Sequence, residues 1–429
     1  MTRAASLPAG GAPQPGGNAS LPEGDFPDAP LRGLLVLDLS QFLSGPSAAL
    51  RLGDLGARVI KVERPGGGDI CRQLYLSDTD LDGDSTLFHA INRNKESFAA
   101  DLKDPAGLAA VRALVARADV LIQNFRPGVI ERLGLGYEQA RAINPRLVYA
   151  GISGYGETGP WAGLPGQDLL AQAVSGAMWL TGNRDDGPVP FGLSVADMLA
   201  GHALVEGILA ALVRRSVTGR GAQVQTSLLE ALVDFQFEVL TTHLNDGGRP
   251  PARSRAHPGH AYLAAPYGVY PTRDGHLAVA MMPLAQLRDA LPLPALQPYC
   301  GDPAAAFARR DEVKDLVAAC LARRDTAHWL ATLQAAGIWC AEVHDWPRLL
   351  ASEAMRRLDM LQVVERDDAR IATTRSPLRI DGRRPATRRA APRVGQHTEA
   401  LRAEFGLPGA GDAYDSYDTD DSTLRGEQA

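Results

Sequence analysis

Two adjacent carboxylates, Asp185 and Asp186, stand in the stretch Thr181 to Asp197, which reads TGNRDDGPVPFGLSVAD. Gly182, Gly187, Pro188 and Pro190 punctuate it as a loop, because Gly and Pro fix unusual backbone angles. Apolar segments flank it on both sides, and a loop between buried helices is a good mount for a reactive side chain. A carboxylate there serves as base, acid, metal ligand or nucleophile, and the pair alone leaves that choice open. Asp also caps turns with no chemistry attached. A second set is cationic: Arg64, Lys103 and Arg126 stand near the ends of expected strands, and Arg132 follows one turn into the next helix. Basic groups at the carboxyl ends of parallel strands suit a phosphorylated ligand.

The elements that must position these residues follow from apolar patterning. Leu34 to Leu39 (LLVLDL) reads as a buried parallel strand, and a helix AALRLGDLG follows, ending at Gly56. Arg58 to Glu63 (RVIKVE) is a second strand, so the chain opens with a strand, crossover helix and strand. A helix over Pro105 to Ala118 and strands at Val120 to Gln123 and Leu147 to Ile152 extend a doubly wound α/β sheet. Glu63 stands where a ribose-binding acid would sit in a dinucleotide fold, but Gly45 is alone where GxGxxG is needed, which argues against NAD. A Gly-rich loop, SGYGETGPWAGLPGQD, leads to a buried helix over Leu169 to Leu180. The helix after Asp197 is apolar nearly all round and should pack on several sides.

Polar, Pro-rich sequence from Gly247 to Gly259 reads as a linker; Arg253 and Arg255 there could hold a carboxylate, but the linker position favours solvent exposure. Tyr267 to Tyr270 and His276 to Met281 flank Arg273-Asp274-Gly275 as a hairpin, and helical periodicity follows to Ala336. The expected organisation is a leader at 1–30, a large α/β domain at 31–246, a linker and smaller α+β domain at 247–357, a return to the large domain at 358–408, and a disordered acidic tail at 409–429.

The net charge of -6 gives no support to a general nucleic-acid binder. Cys71, Cys300, Cys320 and Cys340 are far apart without CxxC spacing, so neither a disulfide framework nor a zinc site is expected, and a reducing cytoplasm fits. No signal peptide is read in the first thirty residues, and no apolar run is read as membrane-spanning.

Taken together, VLDLSQFLSGPSAALRLGDLGARVIKVERPGGGD, NRNK, ADVLIQNFRPGVIERLGLGYE, NPRLVYAGISGYGETGP and PRVGQHT resemble the class III CoA-transferases from about Leu31 to Leu407. That group includes formyl-CoA and carnitine CoA-transferases and the α-methylacyl-CoA racemases. The resemblance implies a Rossmann-like large domain, a smaller domain and two chains interlocked as a homodimer. It implies coenzyme A or an acyl-CoA as substrate, with no permanently bound cofactor and no metal. Carried over, the CoA contacts fall on Arg64, on Ala100, Asp101, Leu102 and Lys103, on Asn124, Phe125 and Arg126, and on Arg132. The Gly-rich loop that closes over the active site in formyl-CoA transferases has no clear counterpart here.

The racemase branch implies a His, an Asp and a Glu, which fall on Gln167, Asp197 and Pro271. Gln and Pro transfer no proton at neutral pH, so only Asp197 survives. The transferase branch implies one nucleophilic carboxylate three residues after the glycine of the TG step. Counting from Gly182 that is Asp185, with Asp186 as second choice. The reading is thus an acyl-CoA:carboxylate CoA-transferase with a covalent aspartyl intermediate, acting on short dicarboxylates or hydroxy acids. A racemase of the same fold or a non-catalytic CoA-binding protein are the alternatives.

Overall fold

The computed structural model describes residues 28–385 and 389–408. The acidic tail from 409, and the expected leader up to residue 27, lie outside the described residues. Six parallel strands form the central sheet: β1 (Leu35–Asp38), β2 (Arg58–Glu63), β3 (Lys95–Ala99), β4 (Val120–Gln123), β5 (Val148–Ser153) and β6 (Ala222–Ser227). Their order across the sheet is β3-β2-β1-β4-β5-β6, so the direction of winding reverses between β1 and β4. Parallel strands covered on both faces carry apolar residues at successive positions, and β1 shows why. Val36 faces one core and its neighbours Leu35 and Leu37 face the other.

One core is formed with α1 (Ser44–Asp54) and a long helix over Val195–Thr218; Ala48, Ala49, Leu52, Ala196, Ala200 and Leu204 meet there. The opposite core is closed by α2 (Pro105–Val115), through Val111 and Leu114, and by a C-terminal helix over Thr398–Phe405, through Leu401. Leu204 is completely buried, so Leu204→Ala would cost about 2–5 kcal/mol. The Val195–Thr218 helix is long and apolar enough, by composition, to cross a membrane, which corrects the sequence reading. Here it is the central helix of the first core, packed on α1 and on β5 and β6.

The helix expected over Leu169 to Leu180 is shorter: α3 spans Asp168–Val174, and Gly176 at φ +84° ends it before a single turn at Ala177–Trp179. Leu169, Leu170, Val174 and Trp179 are exposed, so it is not the buried helix the apolar run suggested. The Val195–Thr218 helix is α4, and α5 (Leu228–Phe235) packs on it.

The hairpin is present as β7 (Gly268–Pro271) paired antiparallel with β8 (His276–Val279), and β9 (Cys340–Glu342) completes a separate three-stranded sheet. Tyr270, Leu277, Leu287, Val313, Val317 and Leu333 form its own core. After a second hairpin, β10 (Leu361–Arg366) and β11 (Ala369–Thr374), the chain returns along the edge of the large sheet. His397 donates its N–H to the Ser97 carbonyl at 3.0 Å, and its Nδ1 accepts the Ser97 N–H at 3.1 Å. The backbone edge of β3 is thereby covered, a structural role for His397. The C-terminal helix Thr398–Phe405 is α6.

Candidate active site

The loop after β5 returns to its own start. Gly154 and Gly166 meet backbone to backbone, and a Cβ on Gly154 would lie 2.6 Å from the Gly166 Cα. Asp168 is therefore delivered beside the carboxyl end of β5, at the head of α3. There its Oδ1 accepts the N–H groups of Ala196 at 2.6 Å and Asp197 at 3.1 Å. These are unpaired donors of the first turn of α4, where helix geometry favours negative charge. Its Oδ2 accepts from Gln172 Nε2 at 2.6 Å, while Gln172 Oε1 takes the Phe191 N–H at 3.0 Å.

Asp197 brings a second carboxyl to the same place, hydrogen-bonded to Ser44 at the head of α1. Burial and the nearby Asp168 push its carboxyl up to about 6, with the Ser44 hydrogen bond opposing. The close approach of α1 and α4 depends on Gly201, where a Cβ would sit 2.6 Å from Ser47 Oγ and 2.8 Å from the Ser44 carbonyl oxygen. Across the winding reversal, Asn124 clamps the loop after β1: its Oδ1 accepts the Gln41 N–H at 2.8 Å and its Nδ2 donates to the Gln41 carbonyl at 2.7 Å. The site thus lies where open α/β sheets bind ligands, at strand carboxyl ends beside a topological switch.

Asp185 and Asp186 fall elsewhere in their loop, on a single exposed turn at Arg184–Asp186. Asp186 Oδ2 accepts the Asn183 N–H at 2.7 Å, so that carboxylate caps its own turn. The loop is stitched to the smaller domain: Arg184 N–H donates to the Ser254 carbonyl at 2.9 Å, and Arg184 pairs with Asp311. Arg253 is buried, not in solvent, and donates to the Thr181 and Arg184 carbonyls. Arg255 is exposed and pairs with Asp315. This loop and linker brace the two cores together, and both arginines have partners within the protein.

Arg64, Lys103, Arg126 and Arg132 are all exposed, past the carboxyl ends of β2, β3 and β4. Ala100 is buried and Asp101 exposed; Leu102, Asn124 and Phe125 are half-buried. Glu63 is not free to hold a ribose. Its Oε2 pairs with Arg72 at 2.7 Å and takes the Ser97 hydroxyl at 2.6 Å, and its Oε1 accepts the Asp69 N–H at 3.0 Å. Arg72 also pairs with Asp84 at 3.0 Å. Beneath the site, Asp38 on β1 meets Lys95 at 2.8 Å and Lys61 at 3.8 Å, all buried. Burial takes Lys95 down to about 8, Asp38 opposing, whereas the carboxylates around Lys61 raise it despite burial. Removing one partner from such a cluster leaves an uncompensated buried charge, costing about 3–5 kcal/mol.

Comparison with known proteins gives the family. The model of CoA-transferase family III matches residues 31–398. The chain belongs to CoA-transferase family III. It is 35% identical over 397 residues to an acetyl-CoA:oxalate CoA-transferase of Acetobacter aceti, covering 90% of this chain and 98% of that one. It is 32% identical to a succinyl-CoA:glutarate CoA-transferase of Mus musculus, covering 87% and 86%. A crystal structure of a CAIB/BAIF family protein from Brucella suis superposes with a TM-score of 0.77 at 31% identity, over 88% of this chain and 99% of that one.

This family III protein is a CoA-transferase enzyme, and CoA thioesters are its substrates. Sequence reading passed over Asp168, weighing the Gly166-Gln167-Asp168 turn only for its Gln167. An acid opening a helix is a common local stabiliser, and no spacing in the chain tells that the head of α4 lies against it. The one local signal was the pair of glycines bounding the loop, which brings the acid back to the strand end.

Proposed function

We propose that this CoA-transferase moves CoA between carboxylic acids through a covalent aspartyl intermediate, and that Asp168 is the nucleophile in preference to Asp185. The observation that carries the choice is the Asp168 carboxylate, half-buried and held on Oδ1 by the first turn of α4. Asp185, by contrast, is exposed on a bracing loop. One Asp168 oxygen attacks the thioester carbonyl; the C–S bond breaks and CoA leaves as thiolate, giving an aspartyl anhydride. The thiolate attacks the aspartyl carbonyl and releases the donor acid as carboxylate, leaving an enzyme thioester. The acceptor carboxylate displaces that thiolate to form a new anhydride. The returning thiolate attacks the acceptor's acyl carbon, which yields the new acyl-CoA and free Asp168. No step needs a net proton, a metal or an electron carrier, and each tetrahedral stage develops charge on an oxygen.

The named relatives support short dicarboxylates as acids: oxalate for one, glutarate for the other. The cationic rim supports binding of the CoA phosphates by Arg64, Lys103, Arg126 and Arg132, and two chains are expected to interlock as a homodimer. A racemase finds less support. Gln167 stands exposed at the head of α3, and Pro271 lies in β7 opposite His276, so neither supplies a base. The test is acyl exchange with succinyl-CoA or acetyl-CoA as donor and a panel of free acids including oxalate and glutarate. Transfer to an acid is the expected result, together with no inversion of a single-enantiomer 2-methylacyl-CoA run alongside, whose α-carbon, unlike those of the two donors, is a stereocentre. Inversion without transfer would support the racemase.

A further inference from the structure

Two carboxyl groups share the head of α4, and only one of them is needed as nucleophile. Asp168 Oδ1 sits on the Asp197 N–H, while the Asp197 side chain turns to Ser44. Among the described residues no cation acts on the Asp197 carboxyl. Of the elements packed on α4, α3 presents Asp168 and α1 presents the Ser44 hydroxyl; Arg51 lies at the far end of α1, paired with Asp54. On α5, Glu230 takes the Ser227 hydroxyl at 2.7 Å and Asp234 is exposed. On β5, the Tyr149 hydroxyl donates to the Leu135 carbonyl at 3.1 Å, and β6 carries no titratable side chain. On α4 itself, His202 is exposed with Nδ1 on the Met198 carbonyl, Glu206 lies more than two turns on, and Arg215 pairs with Asp119 near the opposite end.

Exchange makes this arrangement costly if both groups ionise. The reaction brings a free carboxylate and a thiolate to the nucleophile in turn, and like charges in a half-buried site oppose one another. We propose that Asp197 is a positioning residue that stays protonated while the free acid is bound, so that the acid's carboxylate meets a site carrying a single negative charge. The inference rests on the Asp168 reading above. Above the titration of Asp197, binding of the acid draws one proton from solvent onto its carboxyl. Below it, no proton is taken up. The neutral carboxyl lends a hydrogen bond and its proton is returned when the acid departs.

The experiment is identity exchange between succinyl-CoA and isotope-labelled succinate by the full-length protein, at pH 6.5 to 9. In the unsubstituted enzyme the KM for succinate should rise with pH, by up to about tenfold per unit, while the KM for succinyl-CoA changes far less. Asp197→Asn, which cannot ionise, should flatten the succinate profile. A flat profile in the unsubstituted enzyme, or the same slope in Asp197→Asn, overturns the proposal. Should that variant fail to fold, calorimetry of succinate binding to the unsubstituted protein in buffers of different ionisation heat decides it. About one proton taken up per site near pH 7.5 supports it, and none overturns it. Asp168→Ala separates the two ideas. Exchange surviving in that variant sinks the nucleophile assignment, whereas a dead Asp168→Ala with an unchanged Asp197→Asn slope sinks only the role given to Asp197.

Discussion

Asp168 Oδ1 accepts two backbone N–H groups, from Ala196 at 2.6 Å and from Asp197 at 3.1 Å. In the proposed reaction this relationship serves the chemistry twice. In the resting enzyme the two donors hold Oδ1 at the head of a 24-residue helix. Once Oδ2 is acylated, Oδ1 becomes the carbonyl oxygen of the intermediate, and the same donors face the charge that develops when thiolate attacks.

Asp168→Ala should lower kcat by at least about a thousandfold, with the circular dichroism spectrum unchanged. Asp185→Ala should stay within a few-fold of the parent in steady-state exchange. Asp186→Ala loses its own turn cap and should show a lower Tm, at a cost of about 1 kcal/mol, before it shows any loss of turnover.

The raised carboxyl of Asp197 makes a stability prediction with a definite sign. Its folded value of about 6 lies above the ordinary 3.8, so between those two pH values the folded protein holds the extra proton. Its contribution is complete below the unfolded value and is lost as pH rises through about 6. Above that, Asp197→Asn should be more stable than the parent by up to about 3 kcal/mol, read as a higher midpoint in urea. The gain should vanish near pH 4.

The rim cations should act on binding and not on chemistry. Arg64→Ala or Arg126→Ala should raise the KM for succinyl-CoA by about three- to tenfold with kcat nearly unchanged. The same substitutions should weaken the salt dependence of that KM, because exposed charges are screened. An effect confined to kcat would place the thioester phosphates elsewhere.

Gly201 ties packing to the site. Gly201→Val would push against Ser47 Oγ and the Ser44 carbonyl, separating α1 from α4 at a cost of about 1–3 kcal/mol. Because Ser44 also bonds Asp197, exchange should fall along with thermal stability. A loss of Tm without loss of kcat would show that the α1–α4 spacing does not set the site.

The large sheet was legible because its strands are short apolar runs separated by helical periodicity, and β1, β2, β4 and β5 fall where those runs stand. The β7–β8 hairpin was legible from Arg273-Asp274-Gly275. Two misreadings share a cause. The apolar run from Leu169 predicts burial, yet Leu169, Val174 and Trp179 face outward; the linker position predicts solvent for Arg253, yet it is buried against Thr181. A single sequence shows which residues prefer burial, not which surfaces meet. The same limit hid the carboxylate pair: Asp168 and Asp197 are 29 residues apart, and only the packing of α3 against α4 joins them. The adjacent pair Asp185-Asp186 stands out because it is contiguous; Asp186 caps its own turn through the Asn183 N–H, and the neighbouring Arg184 meets Ser254 and Asp311 far along the chain.

The most direct measurement is to incubate the enzyme with succinyl-CoA, quench with hydroxylamine, and map the modified peptide by mass spectrometry. A hydroxamate on Asp168, absent from Asp168→Ala, is the predicted result. A hydroxamate on Asp185 or Asp186, or turnover with no acylated carboxylate anywhere in the chain, would contradict it.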